Sequence, residues 1–565
     1  MNQYYEKEGK IYFRFKYDPN IISEIKKIEG RWYHPESKEW SIPISIISSI
    51  DIKKLIENFN FQPISNDNNI NPYLKGDNAS EVIKTYRELI LSLNLKYTLR
   101  DYQYEGVDKM NHFFNCINGD DMGLGKTLQT IYSVESLNNF PCLVVCPSSV
   151  KHHWKKYWSE SNPNRTVSVI EAGSKENNFD TDVVIINYDS LSKKIIEDKG
   201  EEEVSKLILK YEGLEKEWGC LVCDEIHYAK NSKSNRSKAI RKIAKKSKRK
   251  IGLTGTLVEN KPSEIIHPLM IIENFNPHFR NWKFFVERYC DAKMTRFGMD
   301  TSGSSNTLEL NRILRSTCYI RREKKDVYSE LPDRQDSIVN IEIDNFKKYI
   351  RAEDDFLSYV VKNFSEDKQV RAFNAEYLVQ RNELRQLSVR GKLKGIIEWL
   401  ENYQESTKEK LVVFGIHREP LTKLAVYFDC DVIDGSIGSW EKQKFIEEFK
   451  TNKKQFIFGN IQAMGTGTDG LQHASSNMAI IELPDNPSKL EQAIARIERI
   501  GSKAEGSDDK INIYYLLSED TIDMPMWMAS EEKRKITEAI NKGRDVKAIN
   551  FDDLVINKLI EKRRV

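Results

Sequence analysis

Asp121-Met122-Gly123-Leu124-Gly125-Lys126-Thr127 combines the residue types that can hold a polyphosphate. Two closely spaced glycines let backbone N–H groups turn inward onto phosphate oxygens. Lys126 brings a point charge for the β- and γ-phosphates, and Thr127 a hydroxyl for Mg²⁺ at a helix start. Met122, Gly123, Leu124, Gly125, Lys126 and Thr127 are thus the candidate nucleotide-binding loop. The strict spacing has glycine where this chain has Asp120; Gly119 stands one place earlier. Farther on, Asp224-Glu225-Ile226-His227 follows an apolar run. A strand-end Asp224 can hold Mg²⁺ together with Thr127, and Glu225 can orient or deprotonate the attacking water. An Asp-Glu pair alone usually marks a solvated loop; its order after the phosphate loop favours hydrolysis. Leu253-Thr254-Gly255-Thr256 comes next, a weak signal by itself. Arg496 and Arg499 recur at i and i+3. They are either solvated guanidiniums on a surface helix or a pair of fingers reaching across a cleft to the γ-phosphate.

These groups need rigid strand ends to stand on. Leu143–Cys146, Val183–Ile186, Leu221–Cys223 and Ile251–Leu253 are continuous apolar runs of the kind found in parallel sheets covered on both faces. A second set, Leu411–Phe414, Phe456–Phe458, Ala479–Ile481 and a last strand near 511–516, predicts a second α/β lobe. Between the sets, long charged amphipathic stretches predict a helical insertion. The first residues read differently. Ile11, Phe13 and Phe15 alternate with polar residues, Asn20 can cap a helix through Ile28 ended by Gly30, and Arg31–Tyr33 with Glu39–Pro43 suggests a strand pair. A stretch from Gln62 to Ala79, rich in Asn, Pro, Ser and Gly, reads as a linker.

The chain has 565 residues, a hydrophobic fraction of 39%, a charged fraction of 30% and a net charge of +2. No run is long and apolar enough to span a bilayer. The N-terminus lacks the apolar core of a signal peptide, so a cytosolic or nuclear setting is expected. Near-neutrality neither supports nor excludes nucleic acid, since a local basic channel suffices. Eight cysteines suggest reduced thiols; Cys220 and Cys223 form one CxxC without a second pair, and read as a buried strand rather than a zinc site. The basic run Lys238, Arg241, Lys242, Lys245, Lys246, Lys248, Arg249 and Lys250 reads as a solvated helix face rather than a dedicated DNA contact.

The ordered set resembles a superfamily-two helicase-type motor, most of all the Snf-type branch of double-strand DNA translocases. The matching segments are Leu99–Gln103, the phosphate loop, Val145-Cys146-Pro147 with Trp154, Asn187-Tyr188-Asp189, the DEIH segment, LTGT with Asn260, Arg321–Val327 with Leu331-Pro332, Ile433–Ser436 and the arginine pair. The resemblance covers roughly 85–525. It implies two RecA-like parallel-sheet lobes with a helical insertion between them and a small α+β N-terminal module. The expected boundaries are a module at 1–60, a linker at 61–80, lobe one at 81–262, the insertion at 263–400, lobe two at 401–525 and a helical brace at 526–565. The resemblance further implies ATP with Mg²⁺, and Gln103 as the reader of the adenine edge. It implies catalytic roles for Lys126, Asp224, Glu225, Arg496 and Arg499. Nucleic-acid contacts are implied for Ser148, Lys151, Trp154, Asn187 and Tyr188 in lobe one, and for His417, Thr466 and Gly467 in lobe two.

Several positions depart from the family pattern. Leu257 replaces a proline, the Gly465–Gln472 turn is longer, Asp485 replaces a tryptophan, and Glu498 and Ser502 replace histidine and glutamine. Together they suggest a divergent member from a bacterium or phage, and hence the cytoplasm of such a cell. Gly30–Tyr33 with Lys38–Pro43 is similar to the HARP domain of annealing helicases, which implies recognition of forked or junction DNA. The expected partner is therefore duplex or forked DNA without sequence preference, and no membrane. Translocation with fork remodelling or annealing, true strand separation on DNA or RNA, and an ATPase switch within a complex are the three competing readings.

Overall fold

The computed structural model describes residues 2–7, 10–28, 31–43, 46–64, 88, 90–174, 176–198, 203–258, 261–295, 298–301, 303–327, 332–363, 371–451, 454–464, 470–498, 510–541, 544 and 551–564. Its contacts divide the chain into two units, Met1–Glu323 with Ala539–Lys547, and Lys324–Glu538 with Ala548–Val565.

The first unit begins with β1 (Gln3–Lys7), β2 (Lys10–Arg14), α1 (Pro19–Lys27), β3 (Trp32–His34), β4 (Glu39–Pro43), α2 (Ile46–Asn58) and β5 (Gln62–Pro63). The sheet order is β3-β4-β2-β1-β5. Alternation in β2 sends Ile11 and Phe13 into a core with Ile21, Ile25 and Ile42, as the sequence period requires. That core also contains Leu99, Val107 and Tyr132, so it continues into the parallel-sheet part of the same unit. Two expectations are corrected. Asp18, not Asn20, caps α1, accepting from the Asn20 and Ile21 N–H groups. The linker cannot begin at Gln62, because Gln62 and Pro63 pair in parallel with Gln3 and Tyr4. Gly30 and most of the expected linker lie outside the described residues.

The larger sheet comprises β6 (Cys116–Asn118), β7 (Cys142–Cys146), β8 (Val167–Val169), β9 (Val183–Asn187), β10 (Trp218–Asp224), β11 (Ser247–Leu253) and β12 (Tyr319–Ile320), in the order β12-β6-β11-β10-β7-β9-β8. Every pairing is parallel. Helices α3 (Asp101–Phe113), α4 (Lys126–Ser136), α5 (Lys151–Ser161) and α6 (Asn235–Ala244) belong to this unit. Strands β7 and β10 are buried along nearly their whole length, which is why their sequences are unbroken apolar runs. Cys220 and Cys223 lie in β10; an i, i+3 spacing on a strand points them to opposite faces, where they cannot share one ion.

The basic run is not one surface. Its first part is α6, but Lys248, Arg249 and Lys250 fall in β11. Arg249 is fully buried and donates to the carbonyls of Phe114, Ser133 and Met110, to Oδ1 of Asn139 and Asn111, and to Ser133 Oγ. Lys250 pairs with Glu273 at 2.8 Å. A guanidinium whose donors are all placed can enter a core that an unpaired charge could not.

The second unit is built on β13 (Arg334–Asn340), β14 (Leu411–Gly415), β15 (Val432–Ile433), β16 (Phe456–Asn460), β17 (Asn477–Ile480) and β18 (Ile511–Leu517). All pairings are parallel, in the order β13-β18-β17-β14-β16-β15. Helix α7 (Arg371–Ser406) and α8 (Pro487–Ile494) flank it. The stretch expected to be helical therefore also supplies strands: β12 extends the first sheet and β13 the second. A hairpin of Lys293–Thr295 with Gly298–Asp300 lies there too. Among the described residues of the chain's last part, Asp523–Asn541 and Phe551–Arg564 are helical, and Leu554, Val555 and Leu559 are buried in the second unit's core.

Candidate active site

Because all strands of the first sheet run in parallel, their C-terminal ends share one edge, where ligands of open α/β sheets bind. The phosphate loop follows β6, Asp224 ends β10, and Thr254 follows β11. β6, β11 and β10 are consecutive neighbours in the sheet.

Gly123 and Gly125 take φ of 87° and 74°, left-handed values that turn the loop's N–H groups inward without Cβ strain. Lys126 Nζ donates to the carbonyls of Asp120 at 2.6 Å and Asp121 at 3.1 Å. Burial lowers its pKa, against the opposing pull of Glu225, Asp120 and Asp121. Thr127 stands in the first turn of α4. Gln103 lies over the loop: its Nε2 donates to Leu124 O at 3.3 Å, and a Cβ on Gly125 would come within 2.3 Å of that nitrogen. Its Oε1 accepts from the Arg100 N–H at 2.9 Å, so in this structure Gln103 closes a helix cap.

Asp224 is held from two sides. Trp154 Nε1 donates to Asp224 Oδ2 at 2.8 Å, and the Tyr188 hydroxyl donates to Asp224 O at 2.7 Å. Burial, reinforced by the charge of Glu225, pushes the Asp224 carboxyl up to about 6. Glu225 adopts φ 52° and ψ 55°, left-handed backbone for a non-glycine residue; such strain concentrates at functional positions. His227 Nδ1 lies 3.3 Å from Glu225 Oε2 and 3.0 Å from Thr254 Oγ1, which links the DEIH segment to LTGT. The Asp224 carboxylate, together with the Thr127 hydroxyl in the first turn of α4 and inward-turned N–H groups, suits a divalent cation and a polyphosphate.

Nucleic-acid contacts expected from the sequence are placed unevenly. Ser148 is exposed just beyond β7 and Asn187 half-exposed at the end of β9. Lys151, Trp154 and Tyr188 are buried, at 4%, 1% and 3% exposure, and have internal partners. Lys151 Nζ donates to Ile170 O at 3.1 Å and pairs with Glu171 at 2.6 Å. Trp154 and Tyr188 position Asp224 rather than offering a face to a base. In the second unit, His417 Nδ1 lies 2.5 Å from Glu482 Oε1, and its Nε2 lies 3.0 Å from Asn382 Oδ1. Thr466, Gly467 and Arg499 lie outside the described residues. Arg496 is in a turn beyond the end of α8, its N–H donating to Ala493 O at 3.0 Å, and not on the helical face that its spacing suggested.

The residues beneath the loop carry no motif role in the sequence, yet they support it. Asp120, where the strict pattern has glycine, is fully buried. It accepts from the Arg322 backbone N–H at 3.0 Å, from Arg322 Nε at 3.1 Å and from Gln129 Nε2 at 3.2 Å. The signal was present in Arg321-Arg322, which the family pattern includes without explaining. Two departures also find partners: Asp485 pairs with Arg381 and Arg385 of α7, each at 2.9 Å, and Glu498 with Lys324 at 3.5 Å.

Residues 76–395 match the SNF2-related domain, and residues 391–501 the helicase conserved C-terminal domain. The chain is 28% identical over 544 residues to the SWI/SNF-related matrix-associated actin-dependent regulator of chromatin subfamily A-like protein 1 of Xenopus tropicalis, across 92% of this chain and 53% of that one. It is 26% identical over 488 residues to the DNA annealing helicase and endonuclease ZRANB3 of Homo sapiens, across 80% of this chain and 41% of that one. The chain thus spans about half the length of these curated relatives. It is also similar to the Sulfolobus solfataricus SWI2/SNF2 ATPase core in complex with dsDNA, at 23% identity and a TM-score of 0.36, across 80% of this chain and 94% of that one. These matches correct the expected bacterial or phage-infected cytoplasm: both curated relatives are animal proteins, and one is named for chromatin regulation. Matched by the SNF2-related domain over more than half its length, the chain belongs to the SNF2-related family.

Proposed function

We propose that the chain is an ATP-dependent double-stranded DNA translocase, with ATP bound as its Mg²⁺ complex at the loop after β6. The observation that carries this reading is the convergence of Lys126, Asp224, Glu225 and Thr254 on one sheet edge, at the ends of adjacent parallel strands. Gly123 and Gly125 turn N–H groups toward the phosphates, and Lys126 exchanges the carbonyls of Asp120 and Asp121 for phosphate oxygens. Thr127 and Asp224 would hold Mg²⁺, which supplies charge neutralisation at the phosphates. Trp154 fixes the orientation of Asp224, as partners of metal ligands do. Glu225, beside His227 and Thr254, orients the attacking water and accepts its proton. Arg496 and Arg499 carry the finger role by family resemblance, and Gln103 the adenine contact, for which its cap hydrogen bonds must rearrange.

Ser148 and Asn187 are the contacts in the first unit that we assign to one DNA strand. Phosphate grip makes binding indifferent to sequence and sensitive to salt. Strand annealing is the form of this activity that the ZRANB3 relative's name favours. Triplex displacement tests movement: ATP-dependent release of a third strand from duplex DNA is expected, and stimulated ATP hydrolysis without release would replace translocation with a nucleic-acid-sensing switch.

A further inference from the structure

The chain crosses from its first unit to its second between Glu323 and Lys324. Immediately before this crossing, Arg321 reaches back into the nucleotide site. Its Nη1 donates to Gly119 O and to Gly255 O, both at 2.8 Å, and its Nη2 pairs with the Asp121 carboxylate. Gly119 leads into the phosphate loop, Asp121 opens it, and Gly255 is the glycine of LTGT. One guanidinium thus bridges two segments of the site, and the planar fork suits that task better than an ammonium. The Asp121 carbonyl accepts from Lys126 Nζ, so the contacts run from Arg321 through Asp121 to the loop lysine.

The backbone around Arg321 has little freedom. The Gly119 N–H donates to Ile320 O at 2.7 Å and the Asp121 N–H to Arg322 O at 3.0 Å. Arg322 is anchored below by buried Asp120 and by Gln129, the latter at 2.8 Å. A Cβ on Gly119 would stand 2.1 Å from the Tyr319 ring, so this approach tolerates no side chain there. Arg321 itself keeps 14% side-chain exposure and touches the loop's mouth.

We infer that Arg321 is a positioning residue for nucleotide binding, one that holds the phosphate loop and the LTGT turn in register and ties both to the crossing between units. This rests on the ATP site proposed above. The test is steady-state ATPase and thermal melting of the full chain carrying Arg321→Gln, Asp121→Asn, both together, or Arg321→Lys. Loss of preorganisation should raise KM for ATP on the order of tenfold in each of the first two variants, with kcat changed much less. The double variant should be no worse than Arg321→Gln alone, because that substitution already removes the contact to Asp121. Arg321→Lys, which keeps the charge, should recover part of the loss.

A folded Arg321→Gln protein with wild-type KM, or KM effects that multiply in the double variant, would overturn the inference. So would a lowered Tm with KM unchanged in every variant, the signature of a merely structural ion pair. If Arg321→Gln does not fold, Asp121→Asn and Arg321→Lys carry the same comparison. Lys126→Ala run in parallel separates the two levels: wild-type turnover there would remove the ATP site itself, whereas its loss leaves the Arg321 result to be judged alone.

Discussion

Each unit holds a carboxylate near the C-terminal edge of its parallel sheet, Asp224 half-buried and Glu482 buried, and the two are treated in opposite ways. Asp224 in the first unit accepts from the Trp154 indole and from the Glu225 backbone N–H, and burial with the charge of Glu225 pushes its pKa up to about 6. Glu482 in the second accepts from the backbone N–H groups of Ile416 at 3.0 Å and His417 at 2.9 Å, and from the His417 ring. Burial would raise it too, but these donors hold its pKa below the usual range. Fewer donors and the neighbouring Glu225 charge leave Asp224 ready for a cation, whereas three donors make Glu482 a fastener.

The largest effects should come from the poised side. Lys126→Ala should abolish nucleotide binding or turnover. Glu225→Gln should retain ATP binding while lowering kcat by about 10²–10⁴-fold, measured as bound nucleotide against steady-state ATPase. Next come two substitutions of opposite sign in thermal melts near pH 8. Glu482→Gln replaces a buried acceptor of three donors and should cost about 2–4 kcal/mol. Asp224→Asn removes a charge that folding disfavours and should raise the first unit's stability by about 1–2 kcal/mol while ending ATP hydrolysis. Equal signs would mean that the two carboxylates are held alike.

The pH dependences should diverge as well. Glu482, with its folded pKa depressed, contributes stability above its unfolded value of about 4.3 and loses it as pH falls through the folded value. Asp224, with its folded pKa raised, is stabilising when protonated, so its contribution is lost as pH rises from about 4 toward 6. Melts of wild type against Glu482→Gln and Asp224→Asn between these limits should therefore converge at low pH for both pairs, from opposite sides. A smaller effect is expected for Trp154→Phe, which keeps the packing but removes the indole donor. The Mg²⁺ concentration for half-maximal ATPase should rise by about tenfold.

Much of this contrast was hidden in the sequence. The loop, the DEIH segment and the strands beneath them were legible because local spacing and apolar runs specify them. Trp154 was readable only as part of a nucleic-acid segment, since its partner lies 70 positions away and its burial follows from the sheet. Arg249 and Lys250 extended a visibly basic run, yet β11 carries them inside, where backbone carbonyls and Glu273 satisfy them. Asp485 looked like a loss against the family pattern, but Arg381 and Arg385 receive it from α7, a pairing no local window contains.

ATP hydrolysis by the wild-type chain, compared across duplex DNA, single-stranded DNA, forked DNA and RNA, decides whether the site after β6 drives a DNA motor. Stimulation by duplex or forked DNA of any sequence, diminished by salt and absent in Lys126→Ala, is the expected result. Stimulation by RNA alone, or hydrolysis indifferent to both DNA and Lys126, would contradict it.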